Sequence, residues 1–431
     1  MKVKPSKSWF VVVLVLSLLI AACGGETAEE DPAADGTDSD PTEDTAGTDD
    51  TADSDDTADS DDPIVIGISL PLTGDFADPG VGVQQGYETW AADVNASGGM
   101  LGRQVELRIL DDASDPDRAV ADYERLITQD EVDLVFGPFS SRLVIPTSAV
   151  AEREGYLFLE PAGASPDVFN RGLEYVFYTA PATADRHGDL VAEFLLGLPD
   201  GERPLTAAYT KLDDPFALPI AQGVQDQLEA DGRIETVLDE TYPPEQSNFQ
   251  PLAQQIAAAD PDILIAGTLD VDSIGLVRAL KELGYEPDLI MMSTGPTTAN
   301  FEEEVGGASG VLAPVGWSIN SEYPSNIEFV ESFRAMFDAD PVEDMANGYT
   351  TGQVMQQAAE AVGSIEDQAA LADYVRNNEF DTIVGPLSFN EDGSPAGNHL
   401  VLQWQDGEQV IVLAPDESAV EGEILFPKPA W

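Results

Sequence analysis

The stretch Ile64-Val65-Ile66-Gly67-Ile68-Ser69-Leu70-Pro71-Leu72-Thr73-Gly74 decides the fold. Its first seven residues form a nearly continuous apolar run between Pro63 and Pro71, the pattern of a strand buried on both faces. Beyond the turn, Val83, Tyr87, Trp90 and Val94 recur at i, i+4, i+7 and i+11, one face of a helix that Ser97-Gly98-Gly99 stops. Val105 to Leu110 reads as the next strand, and Val120, Tyr123 and Ile127 stripe the next helix. A third strand over Val132 to Phe136 follows, then a helix ending at Glu154 and a strand over Tyr156 to Leu159. Strand and helix alternating at this spacing build a parallel sheet with crossover helices.

The pattern restarts after Ala182. A helix is expected over Thr183 to Leu196, strands over Thr206 to Tyr209 and Ile263 to Ala266, and a helix over Asp272 to Leu283. Helical patterns then span Asn326 to Phe337 and Asp344 to Val362, before strands at Leu387 to Phe389, Leu400 to Trp404 and Val410 to Leu413. Two consecutive α/β units of similar size imply two lobes. Ligands of open parallel sheets bind beyond the carboxyl ends of the strands, so the cleft between the lobes is the default site.

Composition narrows the function. The 431 residues carry 19 Lys plus Arg against 81 Asp plus Glu, a net charge of −62, which excludes a nucleic-acid binder that works by neutralising phosphates. One cysteine excludes a disulfide framework, a thiolate zinc site and an iron–sulfur cluster, and two histidines leave little for a metal centre. No Gly-x-Ser-x-Gly elbow, His-Glu-x-x-His pair or Gly-x-x-x-x-Gly-Lys loop occurs, so no enzyme, cofactor or metal site is expected. His187, in Asp185-Arg186-His187-Gly188, is expected at the surface or beside a hinge.

The N-terminus reads as an address. Lys2, Lys4 and Lys7 precede an apolar run of 14 residues from Trp9 to Ala22, interrupted only by Ser17. That is short of the ~20 residues a spanning helix needs, and it has the form of an export signal. Cys23, the only cysteine, directly follows Ile20-Ala21-Ala22 and resembles a bacterial lipobox. The resemblance implies cleavage before Cys23 and a lipid on its thiol, leaving an extracytoplasmic protein anchored to the membrane. From Gly24 to Asp62 there are 17 acidic and no basic residues among Thr, Ala, Ser, Gly and Pro, so a disordered acidic tether is expected. Removing leader and tether leaves a body of charge −48 whose self-repulsion is expected to be relieved by salt.

The loops at the strand ends carry a family resemblance. Leu70-Pro71-Leu72-Thr73-Gly74, Asp93-Val94-Asn95-Ala96-Ser97-Gly98-Gly99-Met100-Leu101-Gly102 and Asp111-Asp112-Ala113-Ser114-Asp115-Pro116 are followed by Val135-Phe136-Gly137-Pro138-Phe139-Ser140-Ser141. Glu160-Pro161-Ala162-Gly163-Ala164-Ser165-Pro166 and Val384-Gly385-Pro386-Leu387-Ser388-Phe389 complete the set. In this order, over about Ile64 to Leu413, they resemble the type I periplasmic binding proteins of branched-chain amino acid ABC importers. The resemblance implies two doubly wound parallel-sheet α/β lobes joined by a three-crossover hinge. The expected division is a leader over 1–22, a tether over 23–62, an N-terminal lobe over 63–182 plus 317–390, and a C-terminal lobe over 183–316 plus 391–431. A monomer that closes on a small polar solute and delivers it to an ABC permease is implied. The same fold also serves as a ligand-reading subunit in signalling, the alternative.

Residue by residue, Phe139-Ser140-Ser141 lies between a strand and a helix start, where Ser141 can offer its hydroxyl and N–H to an anion or simply cap the helix. The resemblance gives Ser141 the ligand carboxylate. It gives the loop from Pro161 to Ser165 a carbonyl at Ala162 and an N–H at Ala164, with Ser165 able to replace a threonine that the amino acid binders have at position 164. On the second lobe Phe216 falls where an aromatic packs on ligand. Leu269 replaces a family tyrosine, and Thr294 stands near the family's ammonium-pairing acid. Either Asp213, Asp214, Asp270 or Asp272 then pairs a ligand ammonium, or the ligand has none. A branched-chain or other amino acid, an amide, a urea-like solute, an aromatic acid and another small carboxylate all remain open. Ser114 and Ser140 stand where the leucine/isoleucine/valine binders have a disulfide, so that loop has to be held by other means.

Overall fold

The computed structural model describes residues 62–431, so the leader, Cys23 and nearly all of the acidic tether lie outside the described residues. Strands β1 (Ile64–Leu70), β2 (Val105–Asp111), β3 (Leu134–Phe136), β4 (Phe158–Glu160) and β5 (Val176–Tyr178) form a parallel sheet in the order β2-β1-β3-β4-β5. From β1 the chain winds to one side through α1 (Ala77–Ala96), then returns through α2 (Pro116–Thr128) to the other side. The sheet therefore reverses between β1 and β3, and the loops leaving those strands part to leave a crevice. Helices α3 (Ser141–Glu154) and α4 (Pro166–Phe169) lead on from β3 and β4.

The second sheet repeats the device. Its parallel part comprises β6 (Thr206–Leu212), β7 (Glu235–Tyr242), β8 (Ile263–Gly267), β9 (Leu289–Met292) and β10 (Val311–Val315). These stand in the order β7-β6-β8-β9-β10, so the winding reverses between β6 and β8. Helices α5 (Asp189–Gly197), α6 (Ala217–Asp231), α7 (Gln250–Ala259), α8 (Asp270–Leu283) and α9 (Phe301–Val305) precede or connect the strands. The chain then returns to the first sheet as α10 (Pro324–Phe337), α11 (Glu343–Val362), α12 (Gln368–Asn377) and the hairpin β11 (Phe380–Thr382) to β12 (Gly385–Leu387). Finally it crosses back as β13 (Leu400–Gln405) and β14 (Glu408–Leu413), which join β10 as an antiparallel edge. Two wound α/β lobes joined by three crossings result.

The Val83, Tyr87, Trp90, Val94 stripe is buried against Ile64, Ile66, Ile68 and Leu70, as its spacing requires. Helix α11 lies parallel to α1 and so close that a Cβ on Gly86 would stand 2.0 Å from the Met345 carbonyl oxygen. Their N-termini consequently share the end of the sheet where β1 delivers its loop.

Two expected elements are corrected. The helix expected over Thr183 to Leu196 is broken: Ala184–Arg186 is a 3-10 turn and α5 starts only at Asp189. At the break, Gly188 packs so tightly on α6 that a Cβ would lie 2.1 Å from Val224 Cγ2, and the Ala184 N–H is drawn to the Ala164 carbonyl at 2.7 Å. The strand expected at Leu387 to Phe389 sits two residues earlier, because Gly385 pairs with Thr382 across the tight hairpin while Phe389 bridges only to Pro395.

Candidate functional site

Loops from both reversal points converge here. On the first lobe, Ser141 opens α3 and is 1% exposed; its Oγ accepts the Ser165 N–H at 3.1 Å, which ties the two loops named from the sequence. Ser140 gives α3 no side-chain cap. Among the described residues, neither the amides of Ser141 and Ala164 nor the Ser141 hydroxyl proton has a protein acceptor. Two donors at the N-terminus of α3 and one from the loop after β4 thus lack partners, an arrangement that suits an anion. The Ala162 carbonyl is likewise unclaimed, while the Ala162 N–H turns back to Glu160 at 2.9 Å. Ser165 Oγ is occupied with capping α4 through the Asp167 N–H at 3.3 Å. Phe139 meets Phe76 edge-on at 6.0 Å between centroids, and the Arg142 guanidinium covers the Phe76 ring at 5.3 Å.

On the second lobe, Phe216 follows β6, half-buried and edge-on to His187 at 5.8 Å. Leu269 follows β8 and donates its N–H to Asp272 at 3.1 Å; Thr294 follows β9 and donates its hydroxyl to the Thr268 carbonyl at 3.2 Å. Ser141, Ala162, Ala164 and Ser165 therefore form one connected group and Leu269 and Thr294 another. An ion pair from Arg142 to Asp214, 2.9 Å long, joins the two lobes. A crevice of about 400 Å³ opens beside it between Ser165–Asp167 and the Asp213–Pro219 segment.

Of the four aspartates offered as ammonium partners, Asp213 is exposed, whereas Asp214 and Asp272 are buried, at 6% and 7% exposed. Asp214 also accepts the amides of Phe216 and Ala217, and Asp270 accepts the Gly295 amide at 2.7 Å. Burial, then Asp214 and Asp270, push Asp272 up to about 6.

Sequence reasoning did not single out the first turn of α11. Desolvation raises Asp344 to about 8, assisted by the charges of Glu343 and, from the opposite lobe, Asp270. The Asp344 carboxyl has no hydrogen-bond partner among the described residues, and Glu343, raised to about 7 by burial, accepts the Gly316 N–H at 2.6 Å. In a chain with 81 acids, two more adjacent ones carry no signal. Only the parallel packing of α1 and α11 brings them to the cleft end.

The hinge holds the chain's only two histidines, His187 and His399, buried and stacked with ring centroids 3.7 Å apart. Burial lowers both, His187 to about 4, and His399 lies 4.0 Å from Glu343. His187 is thus beside the hinge but not at the surface. The loop without a disulfide is held by Ser114, whose hydroxyl donates to the Thr73 carbonyl at 2.9 Å and accepts the Phe76 N–H at 3.1 Å. Among the described residues no cluster suits a metal ion, and no helix is long and apolar enough to cross a membrane.

Comparison with known proteins bears on the family and the fold. The Leu/Ile/Val-binding protein homolog 1 of Brucella melitensis biotype 1 is 26% identical over 348 residues, 80% of this chain and 91% of the relative. The branched-chain amino acid transporter substrate binding protein LivJ of Streptococcus pneumoniae, solved with isoleucine, superposes with a TM-score of 0.69 at 20% identity, covering 85% of this chain and 100% of LivJ. An ABC transporter solute binding protein of R. palustris, solved with benzoate, gives a TM-score of 0.70 at 20% identity over 84% of this chain and 99% of that one. The profile of the family described as "Periplasmic binding protein" matches residues 63–409. With its type I fold of two lobes, this chain belongs to the periplasmic binding protein family.

Proposed function

We propose that the chain is an extracytoplasmic solute-binding lipoprotein, held to the membrane through Cys23, that captures an amino acid between its lobes and hands it to an ABC permease. The observation that carries the ligand class is the set of unclaimed donors at Ser141 and Ala164, which suits a carboxylate. Phe139, Ser140, Ala162 and Ser165 frame that end, and Phe216, Leu269 and Thr294 close over it from the second lobe. The complementary end is Asp344, a carboxyl opposite Asp270 without a protein partner among the described residues; burial keeps it largely neutral while the cleft is empty, and an arriving ammonium favours its ionised form. An ammonium shut into a cleft without such a partner costs several kcal/mol. Leu/Ile/Val-binding relatives support an amino acid, whereas the relative solved with benzoate holds a carboxylate that has no ammonium.

Thermal-shift and calorimetric titration with L-leucine, L-isoleucine, L-valine, basic amino acids, acetamide, urea and benzoate tests the reading. Amino acids are expected to raise the melting temperature by mass action. Asp344→Asn is expected to weaken them about tenfold while leaving benzoate unchanged. Binding of benzoate or amides alone would overturn the amino acid assignment.

A further inference from the structure

One buried carboxyl of the first lobe lies beneath the cleft loops without facing the cleft. Glu160, the last residue of β4, is fully buried, and its side chain turns under the loop that follows it. One carboxyl oxygen, Oε2, accepts the amides of Ala162, at 2.9 Å, and Gly163. The other, Oε1, has no hydrogen-bond partner among the described residues. Both cleft loops of the first lobe are shaped to admit this side chain. A Cβ on Gly137 would lie 2.3 Å from the Glu160 Cβ, and one on Gly163 would lie 2.6 Å from Oε1. The Glu160 carbonyl meanwhile takes both the N–H and the hydroxyl of Thr179, at 2.9 and 3.0 Å, fixing β4 against β5.

We propose that Glu160 is the positioning residue of the anion-binding loop: by clamping the amides of Ala162 and Gly163 inward, its carboxyl leaves the Ala164 amide and the Ala162 carbonyl turned to the ligand. The inference rests on the proposed site, because it explains why, of the amides from Ala162 to Ser165, that of Ala164 alone is unclaimed among the described residues. A strand end normally directs successive amides to opposite sides, and a loop of Gly and Ala has no side chains of its own to fix it. The clamp supplies the missing constraint.

The surroundings favour the carboxyl in its neutral form. Tyr87 from α1, Tyr123 from α2 and Tyr178 from β5 face it, with Asp112 and Asp122 behind Tyr123 and Glu343 and Asp344 behind Tyr178. No cation is among them. Burial drives Glu160 up to about 8, against the two amide bonds that favour the anion. An acid raised in this way is protonated at neutral pH and loses its proton as pH climbs through that value, placing a negative charge beneath the site meant for a carboxylate.

The test uses two variants of the full-length protein. In Glu160→Gln a neutral acceptor remains; in Glu160→Met the volume is kept and the acceptor is lost. Amide hydrogen exchange by NMR, without ligand, is expected to show Ala162 and Gly163 equally protected in wild type and Glu160→Gln, and about tenfold less protected in Glu160→Met, the loss of a hydrogen bond. Unchanged protection of β1 and β3 amides reports that the fold is kept. Equal protection in all three proteins overturns the clamp. Calorimetry with L-leucine at pH 6.5 and 9.0 adds the second readout: wild type is expected to weaken about fivefold more than Glu160→Gln on raising the pH, from one added like charge. Parallel weakening overturns the neutral-form claim. If L-leucine does not bind wild type at all, the proposed ligand fails, while the exchange experiment still decides the role of Glu160.

Discussion

Replacing Arg142 by Met should loosen the closed arrangement of the lobes by a calculable amount. The guanidinium reaches from the first turn of α3 to Asp214, which is 5% exposed in its side chain, across 2.9 Å. Arg142 itself is 39% exposed, so solvent screens the pair and its worth falls to about 1 kcal/mol, well below the bare Coulomb value. Lost contact with the Phe76 ring adds about 0.5 kcal/mol. Asp214 is not orphaned by the change, because the amides of Phe216 and Ala217 still bind it at 2.9 and 3.2 Å. The total of about 1.5 kcal/mol is close to tenfold in the closed-to-open ratio. Only interactions that differ between the two states move that ratio, so the full amount is expressed if the pair parts on opening. Small-angle scattering without ligand should show a larger radius of gyration in Arg142→Met than in wild type. Calorimetry with L-leucine should show about tenfold weaker binding, with the difference shrinking in 0.5 M salt. An unchanged radius and dissociation constant at low salt would refute the claim that this pair holds the lobes together.

Ser141→Ala should weaken L-leucine binding by about 1–2 kcal/mol and also lower the melting temperature, since the buried Ser165 N–H loses its acceptor; calorimetry and a thermal melt read the two effects separately. Acid should act on the hinge histidines. Both are held neutral in the native state, His187 with a value near 4, while the unfolded chain protonates them below about 6.5. The stability they contribute is therefore full above about pH 6.5 and drains as pH falls toward 4, by up to about 1.4 kcal/mol per pH unit for each proton. Urea unfolding of wild type and a His187→Gln, His399→Gln double variant between pH 4 and 7 should show the steeper acid loss only in wild type. The body's charge of −48 predicts a melting temperature that rises with sodium chloride up to the molar range; a flat response would contradict it.

The legible part of the fold was its buried periodicity. Strand β1 occupies the residues its apolar run marked, and the Tyr87–Trp90 face of α1 is the one that packs. Strand β7, Glu235-Thr236-Val237-Leu238-Asp239-Glu240-Thr241-Tyr242, escaped notice because it lies at a sheet edge, where half its positions face water and take acids. The break at Gly188 was illegible because it depends on α6, 36 residues further on at Val224. Within the cleft, the loop donors at Ser141 and Ala164 could be read locally, since a strand end followed by a helix start fixes both. Arg142, Glu160, Tyr178 and Asp344 could not. Their partners lie on other strands or the other lobe, and in so acidic a chain another carboxylate attracts no attention until its burial is known.

The most direct measurement is a crystal structure of the protein grown with L-leucine. The ligand is expected between the lobes, its carboxylate within hydrogen-bond distance of Ser141 and the Ala164 amide and its ammonium toward Asp344. A ligand bound elsewhere, or a carboxylate turned away from the start of α3, would contradict it.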